Sequence, residues 1–67
     1  MTRFSGATLS AARALIGQYG EDAEIIATLR AAEFAAEGDT RGLADWDEII
    51  ACVAALQDGD PGAAALH

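Results

Sequence analysis

Gly20, Gly38 and the run Asp58-Gly59-Asp60-Pro61-Gly62 cut this chain into three stretches. Within each, apolar residues return every three or four positions, the spacing of one face of a helix. A single Val is present and no period-two alternation extends over several residues, so strands are not expected. The first helix is predicted over about 7–19, where Leu9, Ala12, Ile16 and Tyr19, with Leu15 alongside, share a face. Ser5 or Thr8 is placed to cap its start. Gly20 stops it, as a residue able to adopt a left-handed backbone just past a helix end. The second helix is predicted over about 22–37, with Glu21 and Asp22 at its positive end. Its main apolar stripe is Ile25, Leu29, Ala32 and Ala36, and Gly38 ends it. Asp39 or Thr40 then caps a third helix over about 41–57, whose broad apolar face is Leu43, Trp46, Ile49, Ile50, Val53 and Leu56. Gly42, in its first turn, is a candidate for close packing. Residues 58–67 are expected to be a tail.

Two short connections imply antiparallel neighbours, so the expected architecture is all-α, a small three-helix up-down bundle in one domain spanning 1–67. A hairpin of the last two helices that pairs with a second chain is the alternative. Leu15, Ile16, Leu29, Trp46, Ile50 and Val53 are the expected interior. Seventeen of the 67 residues are Ala, which favours helix strongly but buries little area. A core this thin predicts self-association. Phe34 lies with Ala23, Ala27 and Ala31 on the side of the second helix away from Leu29 and Ala36, where it either packs against a second neighbouring helix or, as the surface for a homodimer or another partner, stays exposed.

The order Tyr19-Gly20-Glu21-Asp22-Ala23, then Arg30-Ala31-Ala32-Glu33, then Gly38-Asp39-x-x-Gly42-x-x-x-Trp46-x-x-Ile49 and Leu56-Gln57 resembles a group of small uncharacterised bacterial helical proteins, domains of unknown function of similar length. In that group a His-Gly closes the first helix; here Tyr19 stands in place of the His. The resemblance implies a helical fold and carries no activity with it.

Charge narrows the function. Eleven Asp and Glu face four Arg and no Lys, for a formal net charge of -7. Binding nucleic acid directly needs a cationic stripe that displaces counterions from phosphates, and an amphipathic membrane-surface helix needs Lys and Arg on its polar face. Neither is present. The one cysteine, Cys52, rules out an intramolecular disulfide, and no apolar run approaches the roughly 18 residues of a membrane span, so a cytoplasmic protein is expected.

Catalysis is not expected. A metal site needs three or four converging ligands, and the chain has one His, at position 67, and one Cys within a helix. Asp45 and Glu48, at i,i+3, read as a solvated face. Cys52 reads as a small residue at the margin of the third helix's apolar face. No phosphate-cradling glycine loop, calcium loop or nucleophile elbow occurs, so no metal and no cofactor are expected.

What remains is stoichiometric binding to another protein, one with a basic surface. Arg30 is spaced to pair with Glu33 and Arg41 with Asp45, leaving Glu37, Glu48, Asp58 and Asp60 without local partners. These four carboxylates, with Phe34 as apolar anchor, are the candidate partner-binding residues. By analogy of size and charge, an inhibitor or adaptor of the anti-CRISPR type, encoded by a phage or mobile element, fits this description. The competing reading is a housekeeping homo-oligomeric helical module.

Overall fold

The computed structural model describes residues 4–58, and these are helical almost throughout, with no strand among them. Helix α1 spans Gly6–Tyr19, α2 spans Ala23–Glu37 and α3 spans Thr40–Gln57, with a 3-10 turn over Gly20–Asp22 between the first two. The bounds fall within a residue of those read from the sequence, and the 3-10 turn takes up the opening of the second predicted stretch. The predicted tail beyond Asp58 lies outside the described residues.

Local chemistry accounts for each boundary. Ser5 is the N-cap of α1: its hydroxyl accepts from the Thr8 amide at 3.1 Å and donates to the Thr8 hydroxyl at 2.9 Å, leaving Thr8 buried in the first turn. At the end of α2, Gly38 has φ 75°, the left-handed conformation that costs a residue with a Cβ. Its amide donates to the Ala35 carbonyl at 3.1 Å while the Asp39 amide donates to that of Phe34 at 2.9 Å. That pair of bonds is a Schellman closure, and it satisfies two carbonyls the helix end would otherwise strand. Asp39 then begins α3, its carboxylate accepting from the Gly42 amide at 2.8 Å.

Helices α2 and α3 run antiparallel. Phe34, near the end of α2, meets Gly42 and Trp46 near the start of α3, while Gln57 at the end of α3 donates through Nε2 to the Gly20 carbonyl at 2.7 Å, beside the start of α2. Helix α1 packs on both. The core is formed by Ala12 from α1, Ala23 and Ala27 from α2, and Cys52 and Val53 from α3, all fully enclosed, together with the buried Ile49, and Phe4, Leu9, Leu15, Ile16, Trp46, Ile50 and Leu56 are half-buried around them.

Helix α2 is turned the other way from the sequence expectation. Its stripe of Ile25, Leu29, Ala32 and Ala36 faces outward: Leu29, placed in the interior above, is 56% exposed and Ile25 is 60% exposed. The buried face is Ala23, Ala27 and Ala31 with Phe34 at its end. Three alanines four residues apart let the backbones of α2 and α3 approach, and the ring of Phe34 fits where α3 has no side chain, at Gly42, while Ile26 is half-buried beside this face. A Cβ on Gly42 would lie 2.7 Å from Cε1 and 2.9 Å from Cγ of Phe34. That fit decides the rotation of α2. The surface expected to support a homodimer is therefore consumed within the chain.

Candidate partner-binding surface

Phe34 lies half-buried, its ring stacked on Trp46 with centroids 6.5 Å apart and an interplanar angle of 23°. The Gly-Asp-x-x-Gly-x-x-x-Trp sequence thereby acquires a structural meaning. Gly38 closes α2, Asp39 opens α3, Gly42 admits the Phe34 ring and Trp46 covers it. Each residue of the pattern serves the α2–α3 corner.

The candidate carboxylates do not form one patch. Glu37 is exposed at the end of α2, next to the start of α3; Glu48 is exposed midway along α3; Asp58 is exposed just past its end. Glu37 and Asp58 thus stand about one length of α3 apart, roughly 27 Å at 1.5 Å per residue. Asp60 lies outside the described residues. Of the two helical ion pairs expected, Arg30–Glu33 forms, at 3.4 Å between exposed groups. Arg41–Asp45 is not an ion pair among the described residues.

Cys52 was expected at the margin of the core and is instead fully enclosed in it. Burial pushes its thiol above the ordinary value of 9.0; Arg13 nearby pulls the other way and Glu48 adds to the rise. The thiol form is thus the one held at neutral pH, which is the form that neither attacks an electrophile nor binds a metal. Among the described residues no three of His, Cys, Asp and Glu stand together in a way that could hold a metal ion, and no helix is long and apolar enough to cross a membrane.

Two surface features were not read as functional from the sequence. One is an open groove of about 440 Å³ where Leu15, Gln18 and Tyr19 of α1 face Ile26, Arg30 and Glu33 of α2, with Phe34 and Trp46 also lining it. The other is the outward stripe of α2, whose Ile25 and Leu29 are, among the described residues, the large apolar side chains most open to solvent. The signal for the second was present: α2 carries apolar residues on two opposite faces, and one helix in a small fold can bury only one of them. No protein-family model matches the chain, and no curated protein and no solved structure is found to be similar to it.

Proposed function

We propose that this chain is a non-catalytic acidic protein, a three-helix up-down bundle that acts by stoichiometric binding to another protein. The role it fits is an inhibitor or adaptor of the anti-CRISPR type that covers a basic, nucleic-acid-binding surface. The observation carrying this reading is the exposure of Ile25 and Leu29 on the outside of an acidic chain, at 60% and 56%. Interfaces combine a few apolar anchors, which hold the complex, with charges that speed encounter and select the partner. Here the anchors are Ile25 and Leu29, and the charge is the net -7 of the chain. Phe34 contributes by fixing the rotation of α2 that presents them.

The test is affinity capture from the native host at increasing salt, comparing the unaltered chain with a variant carrying Glu37→Gln, Glu48→Gln, Asp58→Asn and Asp60→Asn. One partner recovered in fixed stoichiometry, released by salt and held less well by the variant, is the expected result. Equal capture by both proteins with no dependence on salt means the acidity serves solubility alone, and the basic-partner reading falls.

A further inference from the structure

The charge carried by α2 and the turn before it defines what can cover the outward stripe of α2. Glu21, Asp22, Glu24, Glu33 and Glu37, on α2 or the turn before it, are all exposed, and against these five carboxylates stands the single guanidinium of Arg30, already paired with Glu33. A second copy of the chain laid on this face would set the same carboxylates against one another, which costs affinity. A cationic partner is attracted to it. The stripe is also straight: Ile25 to Ala36 covers three turns of helix, about 16 Å. It is graded in size, with Ile25 and Leu29 raised at one end and Ala32 and Ala36 low at the other. A neighbouring helix interlocks with such a surface by placing its own large residues over the alanines.

We propose that the outer face of α2 docks an amphipathic cationic helix of the partner protein, with Leu-sized residues seated over Ala32 and Ala36 and Lys or Arg flanks directed to Glu21, Asp22 and Glu33. The assignment rests on the partner-binding reading and names the surface and the chemistry of the partner.

The probe is a synthetic helical peptide with Leu at three- and four-residue spacing and Lys elsewhere, titrated into the full chain by calorimetry and followed by amide chemical shifts. Binding at one to one is expected, with the shifts concentrated on α2. The double variant Ile25→Gln, Leu29→Gln keeps good helix formers and should weaken binding about tenfold or more, because two anchors are lost while the circular dichroism stays unchanged. A peptide with Glu in place of Lys should not bind. Equal binding of the Lys peptide to both proteins means it is held by net charge alone and overturns the assignment, as does absence of binding. Self-association abolished by the double variant, seen by sedimentation equilibrium, makes a second copy the occupant and also overturns it. Capture of one native partner equally by the chain and its double variant leaves the partner-binding reading standing and removes this surface from it.

Discussion

Gly42 shows how one missing side chain orients a helix. In a helix interior Gly costs about 1 kcal/mol relative to Ala, so on propensity alone Gly42→Ala stabilises α3. The Phe34 ring occupies the place of the new Cβ, however, and its Cγ, 2.9 Å away, is fixed close to its own backbone and cannot swing clear freely. Overpacking of this kind costs about 1 to 3 kcal/mol, which exceeds the propensity gain. Gly42→Ala is expected to lower stability to urea by about 1 kcal/mol. In a Phe34→Ala background the sign should reverse, with the same change stabilising by up to about 1 kcal/mol. A destabilising effect of equal size in both backgrounds would show that the ring does not occupy that space.

At the scale of the element, α2 is the informative helix because either of its apolar faces could have been buried. Ile25, Leu29, Ala32 and Ala36 hold the larger aliphatic side chains, and periodicity favours them as the core face. Ala23, Ala27, Ala31 and Phe34 face inward where α3 opposes them with a notch at Gly42 and a ring at Trp46, and Ile25 is left on the outer side. Mutations on the two faces should separate cleanly. Leu29→Gln replaces a side chain that is 56% exposed and should change stability by about 0.5 kcal/mol or less, as is usual at surface sites. Ala27→Leu forces three extra carbons into a fully buried position between α2 and its neighbours and should cost about 3 kcal/mol or cause unfolding. Thermal melts of the two variants test the rotation directly, and the opposite ranking would return α2 to the orientation periodicity favours.

At the scale of the whole molecule, stability rests on a small enclosed core in which Val53 and Cys52 are the largest fully buried side chains. A buried thiol ties that core to pH. Because burial raises the Cys52 value above 9.0 in the fold, the unfolded chain gives up its thiol proton first as pH rises, so the folded state binds more protons and loses ground. The contribution is complete below about pH 8 and declines as pH climbs through the unfolded and then the folded value. Melting temperature should therefore fall between about pH 8 and pH 10, and Cys52→Ala, although less stable at neutral pH, should show a shallower fall over the same range. Parallel pH profiles for the two proteins would remove Cys52 as the cause. The enclosed thiol should also resist alkylation until the chain unfolds.

Helix content, the positions of the breaks and the acidic character follow from the sequence because each depends on neighbours a few residues apart. Gly38 needs only its own left-handed backbone and the carbonyls of Phe34 and Ala35; Asp39 needs only the amide of Gly42. Val53 was readable as core from the α3 face, whereas Ile50, expected inside with it, is half-buried and its neighbour Ile49 takes the buried place; the Gln57–Gly20 bond was not readable, since it joins residues 37 apart. Which side of α2 faces inward was beyond local reading. Two apolar stripes compete there, and the outcome is set by the shape of α3 opposite them: a residue without a side chain at 42 and an indole at 46. Phe34, read as a candidate anchor, thus becomes part of the packing between α2 and α3, and Leu29, read as core, becomes candidate surface together with Ile25 of the same stripe. Packing against a partner helix is a property of two surfaces at once, and the sequence of α2 supplies only one of them.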